Sequence, residues 1–205
     1  QKLRYDPVAD FEPVGLVGYS PTLMVANAAA PIKDVKDLVA QLKAKPDRYV
    51  YATAGNGTAP HFAGELFKMN AGVEMISVPY KGSSPAINDT LGGQPQFMFP
   101  SLFSALPHVK GGKLKALAVA GPKRSALLPD VPTMKEAGLP GFELYTRMMI
   151  SGPAKMPADV VATLETIATC SPAMPDTQRR PLRFERCLQM SASVILASPL
   201  HGSVP

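Results

Sequence analysis

Two strand-loop-helix units set close together constrain this chain more than any other feature. In the first, the β-prone run from Tyr49 ends in the loop Ala54-Gly-Asn-Gly-Thr58, and a helix is predicted from Ala59. In the second, the run Met75 to Pro79 ends in Tyr80-Lys-Gly-Ser-Ser84, and a helix is predicted from Pro85. A helix N-terminus presents unpaired N–H groups and the positive end of the helix dipole. Glycines in the preceding loop let a ligand approach the backbone. Two such ends on one sheet edge make a pocket suited to a carboxylate or a phosphate.

The rest of the chain frames these units. Val35, Leu38, Val39 and Leu42 recur at helical spacing, with Pro31 before them and Pro46-Asp47 after, so a helix is predicted over Val35 to Lys45. The run Phe11 to Asn27 reads as one or two strands, Gln96 to Phe99 and Leu114 to Ala120 as strands, and Leu102 to Lys110 as a helix despite Pro107. Residues 121–157 read as irregular and proline-rich, and Ala158 to Ala168 as a helix. This alternation predicts an α/β fold with a mainly parallel sheet covered on both faces. Ligands of such sheets sit beyond the carboxyl ends of the strands, where both small-residue loops lie.

Composition narrows the function classes. The net charge is +5, but Lys and Arg are scattered singly, without the basic stripe and interleaved aromatics of a nucleic-acid surface. No apolar run approaches the length of a membrane-spanning helix, and Gln1 to Pro7 lacks the apolar segment of a signal peptide. A mature or truncated secreted protein has the same appearance. The cysteines, Cys170 and Cys187, form no CxxC and have no histidine pair nearby, which argues against zinc. Residues 170–205 hold both cysteines and four of the eight arginines but none of the thirteen lysines. That change points to a shifted reading frame, or else to a natural tail, and in either case to loose packing.

The loops carry binding chemistry rather than catalytic chemistry. Gly55-Asn-Gly57 is not a dinucleotide fingerprint, because Pro60 stands where the third glycine belongs. Neither a phosphate-binding GxxxxGK[ST] loop nor a GxSxG elbow is present. Thr58 and Ser84 read as helix N-caps, and Pro60 and Pro85 suit first turns. His61 either lines a pocket or packs as an ordinary histidine; Lys81 either meets an anion or is an exposed loop lysine. Tyr80 either shelves a ligand or packs at the core edge. Asp89 either accepts a hydrogen bond from the loop or favours its helix's N-terminal half. Glu65 and Glu74 read as surface charges. No nucleophile, base and acid can be assembled from neighbours in sequence, so no enzyme activity is expected. No two of the histidines His61, His108 and His201 share a helix face at metal-ligand spacing, so no metal is expected.

Taken in order, several segments resemble the Bug-type receptors of tripartite tricarboxylate transporters. They are Tyr5 to Val14, Ala54 to Phe67, Val78 to Gly82, Pro85-Ala86 with Asp89, Leu91 to Gln94, Gly112 to Val119, Leu128 to Thr133 and Glu136 to Gly141. The resemblance covers about residues 1–168. It implies a periplasmic-binding-protein type II-like receptor with two α/β lobes joined by a two-strand hinge near Met24–Asn27 and Val119–Gly121. Residues 1–26 and 121–169 would be a remnant of the first lobe, 27–120 the second, ligand-binding lobe, and 170–205 a tail outside the family. The first lobe would be incomplete, lacking the upstream strand-loop-helix that supplies its share of the ligand cage. By the same resemblance the site comprises Ala54, Gly55, Asn56, Gly57, Thr58, Ala59, His61, Tyr80, Lys81, Gly82, Ser83, Ser84, Pro85, Ala86 and Asp89. The implied ligand is a small carboxylate, bound without a cofactor in the periplasm, and the implied partner is a membrane permease. An unpaired sheet edge is a surface through which a dimer would form. Two other readings stay open: an α/β enzyme acting on a phosphorylated or carboxylated small molecule, and a truncated product without binding activity.

Overall fold

The computed structural model describes residues 4–6 and 8–169. The elements follow in the order β1 (Phe11–Pro21), β2 (Leu23–Asn27), α1 (Val35–Ala44), β3 (Val50–Thr53), α2 (Ala59–Ala71), β4 (Ile76–Pro79), α3 (Ser83–Leu91), β5 (Phe97–Met98), α4 (Leu102–Lys110), β6 (Leu114–Val119), β7 (Tyr145–Pro153) and α5 (Ala158–Thr169). The chain divides into two compact units. One is Ser20–Thr146; the other is formed by the described residues up to Tyr19 and from Arg147 onward.

The larger unit is built on a five-stranded sheet of order β4-β3-β5-β2-β6. Alternation along its strands sorts the core into two layers. Met24, Ala26, Tyr51, Phe97 and Phe99 join Leu38 and Leu42 of α1 and Ala63 and Phe67 of α2. Leu23, Val25, Ala52 and Met98 join Ala86 and Ile87 of α3 and Leu102 and Ala105 of α4. The sheet is therefore covered on both faces, as the alternating β and α pattern predicts.

Its strand directions differ from the expectation of a mainly parallel sheet. β3 runs parallel to both β4 and β5, whereas β2 runs antiparallel to both β5 and β6. Of the helix-linked pairs β2/β3, β3/β4, β4/β5 and β5/β6, only β3 and β4 are direct neighbours in the sheet, and they are parallel. β2 is inserted between β5 and β6, antiparallel to both.

Two further findings concern residues 121–157, which read as irregular in sequence. First, Tyr145–Pro153 is a strand, β7, paired with β1 in a two-stranded sheet. Met148, Met149 and Ile150 are consecutive and all exposed, so no period-two signal marks it. Second, Met134, Leu139 and Phe142 are buried in the same cluster as Phe67 and Phe99. The segment reaches that core because Thr133 bridges Val119 of β6 in parallel fashion. A Thr133/Glu136 capping box closes the turn: Thr133 N–H donates to Glu136 Oε2 at 2.7 Å, and Glu136 N–H donates to Thr133 Oγ1 at 3.2 Å. Those amide and hydroxyl contacts, with Arg124, hold the Glu136 carboxyl below its ordinary value.

Asn27 ties α3 to the end of β2, an interior strand of the sheet. Its Nδ2 donates to the carbonyls of Thr90 at 2.9 Å and Leu91 at 3.0 Å, and its Oδ1 accepts from Ala29 N–H at 2.8 Å. These groups lie in or at the edge of the core, so losing their partner leaves them poorly satisfied. Asn27→Ala is expected to lower stability by about 1–3 kcal/mol, read as a lower urea midpoint at unchanged slope. A change within about 0.5 kcal/mol would place this variant among ordinary surface substitutions. The expected loose packing of 170–205, and both cysteines, fall outside the described residues.

Candidate functional site

The site is built where β3 and β4 end. The strands are parallel and in register, with Thr53 opposite Pro79, so the loops that follow emerge side by side. Backbone bonds join them: Tyr80 N–H donates to Thr53 O at 2.9 Å, and Gly82 N–H donates to Ala54 O at 3.2 Å. This close approach explains Gly55. A Cβ there would lie 3.3 Å from the Tyr80 carbonyl oxygen, and its φ of +125° disfavours any side chain.

The helices that leave these loops share a property that α1 and α4 lack. Asp34 caps α1 by accepting from Asp37 N–H, and Ser101 caps α4 by accepting from Ser104 N–H. Neither α2 nor α3 has a side-chain cap. Thus the two helix ends beside one another at the carboxyl edge keep their first-turn N–H groups free of side-chain caps.

This corrects the expectation that Thr58 and Ser84 act as caps. Thr58 does occupy the N-cap position of α2, but its Oγ1 donates to Gly55 O at 2.7 Å instead of accepting from the helix. Ser84 is not at the cap position at all. Gly82 is the N-cap, with φ of +117°, and Ser83 and Ser84 are the first two helical residues. The bond from Gly82 to Ala54 completes the turn early, in a conformation that only glycine adopts readily, so the helix starts before Pro85.

The remaining candidates divide by where their side chains go. His61 is half-buried in the first turn of α2, and its Nδ1 accepts from Gly57 N–H at 3.4 Å. Asn56, Lys81, Ser83 and Ser84 line the two loops and the first turn of α3, and among the described residues no hydrogen bond or ion pair occupies their side chains. Ala54 and Ala59 are half-buried, and Pro85 is exposed. Ala86 is fully buried in the α3–α4 core layer, so it supports the helix from behind. Tyr80 packs against that same layer. Burial and a hydrogen bond to the Asp89 carboxylate raise the Tyr80 hydroxyl above its ordinary value. Tyr80 and Asp89 thus engage each other.

Thr53 belongs to the site without any sequence signal to mark it. It is fully buried at the end of β3, and its Oγ1 accepts from Gly55 N–H at 3.4 Å, holding the loop as it leaves the strand. A threonine closing a β-prone run is ordinary, and nothing in the sequence distinguishes this one. Glu65, half-buried, and Glu74, exposed, flank Lys68 at 3.3 and 3.2 Å. Among the described residues no group of histidine, cysteine, aspartate and glutamate could hold a metal, and no helix is long and apolar enough to cross a membrane.

Residues 1–184 match the profile of the tripartite tricarboxylate transporter family receptor, TctC. The chain belongs to this receptor family. The TctC match runs past residue 169, so it takes in part of the segment expected to be a tail outside the family. Among curated relatives, the UPF0065 protein of the tcbD-tcbE intergenic region of Pseudomonas sp. strain P51 is 35% identical over 176 residues, 85% of this chain and 52% of that protein. Protein BugT of Bordetella pertussis is 36% identical over 140 residues, 68% of this chain and 43% of that protein. The chain spans about half the length of the curated relatives it matches.

Solved structures agree on the fold, a periplasmic-binding-protein type II-like α/β architecture. R. palustris Rpa4515 with adipate superimposes with a TM-score of 0.79 at 33% identity, over 82% of this chain and 56% of that one. MatC of Rhodopseudomonas palustris with bound malate gives 0.85 at 29% identity, over 94% and 71%. The periplasmic binding protein BugD gives 0.76 at 36% identity, over 82% and 57%. These TctC-type neighbours are solute-binding proteins.

Proposed function

We propose that this TctC-family chain is an extracytoplasmic solute-binding receptor that captures a small carboxylate for a tripartite tricarboxylate-type permease. The observation that carries the reading is the pair of uncapped helix ends, α2 and α3, on adjacent parallel strands. A carboxylate placed there meets backbone N–H groups and the positive ends of two helix dipoles. Residues 54–59 and 80–86 are the proposed binding loops within the 27–120 lobe. Asn56, His61, Lys81, Ser83 and Ser84 supply side-chain donors, and Asp89 acts through Tyr80. In this reading the protein works in the periplasm, holds its ligand without a cofactor and catalyses nothing. The bound adipate and malate of its structural neighbours support the ligand class.

The test is a thermal-shift and calorimetric screen of the purified chain against mono-, di- and tricarboxylates, adipate and malate included. A ligand present at about a hundred times its dissociation constant stabilises the state it binds by about 2.7 kcal/mol, so a binder produces a saturable rise in melting temperature. In the double variant Ser83→Ala, Ser84→Ala, loss of hydroxyl donors to an anion is expected to weaken binding by roughly 10-fold or more. A cooperative melt that no acid in the panel shifts would overturn the receptor reading.

A further inference from the structure

We infer that His61 is held in one tautomer, protonated on Nε2, and that this N–H, not the Thr58 hydroxyl, is the side-chain donor that α2 presents to a carboxylate. The inference rests on the proposed receptor reading and specifies how one half of that site works.

The hydrogens of the α2 loop assign the tautomer. Thr58 Oγ1 gives its proton to Gly55 O at 2.7 Å, which leaves Thr58 only lone pairs toward solvent. An ionised carboxylate is acceptor-only, so Thr58 cannot bind one without breaking that bond. Gly57 N–H, which would otherwise be a backbone donor at the loop tip, is directed to His61 Nδ1 at 3.4 Å. A ring nitrogen that accepts carries no proton, so in the neutral imidazole the proton sits on Nε2. Among the described residues Nε2 has no partner. The backbone that carries the side chain is fixed as well: the N–H groups of His61 and Phe62 both donate to Thr58 O, at 2.9 and 3.0 Å. Gly57 has φ of +78°, a conformation that side chains rarely adopt, so the bond to the imidazole depends on glycine at that position. His61 therefore acts twice: Nδ1 latches the loop, and Nε2–H remains free to donate.

Two-bond 1H–15N spectra of the 15N-labelled chain would show which ring nitrogen of His61 is protonated in its neutral form. The expected pattern is a protonated Nε2 and a bare Nδ1; the reverse pattern would overturn the inference. The donor role is tested by calorimetry with adipate and malate on the wild type, His61→Asn and His61→Gln. Asparagine can place its carbonyl near the Nδ1 position, keeping the latch but not the distal donor. It is expected to bind about 10-fold more weakly with the melting temperature and the Gly57 amide resonance unchanged. Glutamine, whose amide reaches toward the Nε2 position, is expected to recover most of that affinity while the Gly57 resonance moves. Wild-type affinity in His61→Asn would overturn the donor role and leave the receptor reading standing. A wild type that binds neither these acids nor the rest of the panel overturns the receptor reading and the donor role together, while the spectra still decide the tautomer.

Discussion

Phe99→Ala is expected to cost about 3–5 kcal/mol of stability, the range for removing a large aromatic ring from a closed core. Phe99 is fully buried and is the hub of the aromatic cluster. Its ring centroid lies 6.0 Å from Tyr51, 5.8 Å from Phe67, 6.1 Å from Phe97 and 6.2 Å from Phe142. These neighbours come from β3, α2, β5 and the segment after β6, so the site left by the ring cannot collapse by moving a single element. Edge-to-face and stacked contacts each add about 0.5–1.5 kcal/mol beyond buried area. Urea unfolding should show the loss as a lower midpoint. Phe99→Leu, which retains much of the volume, should lose about 1.5 kcal/mol or less. A Phe99→Ala loss below that figure would mean that the cluster repacks around the gap.

The second large effect is expected at Gly64, in the middle of α2. On helix propensity alone, alanine is better than glycine there by about 1 kcal/mol. The packing opposes it. A Cβ at this position would fall 2.2 Å from Tyr51 Cε2, 2.3 Å from Cζ and 2.4 Å from the hydroxyl oxygen. Tyr51 cannot withdraw easily: it is fully buried, stacks on Phe97 at 5.9 Å and donates to Glu65 Oε1 at 3.2 Å. Burial and the Glu65 charge raise its hydroxyl well above the ordinary range, so it stays protonated and in place as donor. Gly64→Ala is therefore expected to destabilise by about 1–3 kcal/mol, the usual range for overpacking. Tyr51→Leu should relieve the overlap, giving a coupling of about 0.5–3 kcal/mol in a double-mutant cycle. Simple additivity of the two changes, or a stabilising Gly64→Ala, would remove the steric argument.

Elements held together by local signals are legible in the amino-acid sequence itself. α1 carries its apolar spacing and Asp34 cap within one short run, α2 begins at the expected Ala59, and β3 begins and ends within a residue or two of expectation. β7 is not legible in this way, because a strand with three exposed apolar residues in succession exists only through its pairing with β1, far away in sequence. The start of α3 is displaced for a related reason. Ser84-Pro85 has the form of a helix start, yet the turn closes at Gly82 because Ala54, in another loop, accepts its N–H.

The same distinction applies to the candidate site. Which residues sit in the two loops, and that two helix ends follow two strand ends, depend on chain order and local propensity, and the sequence by itself determines both. Side-chain direction is different. Whether the Thr58 hydroxyl caps its helix or bonds Gly55, whether Ala86 faces the loop or the core, and which nitrogen of His61 accepts from the Gly57 N–H are choices among rotamers and hydrogen-bond partners of similar local energy. The Thr58 and His61 bonds close within the loop and first turn of α2, but that loop is itself held by Tyr80 and Gly82 of the neighbouring loop, which donate to Thr53 O and Ala54 O. Ala86 is turned inward by the core layer it shares with α4. The packing of β3, β4, α2 and α3 against one another therefore decides which choice is made.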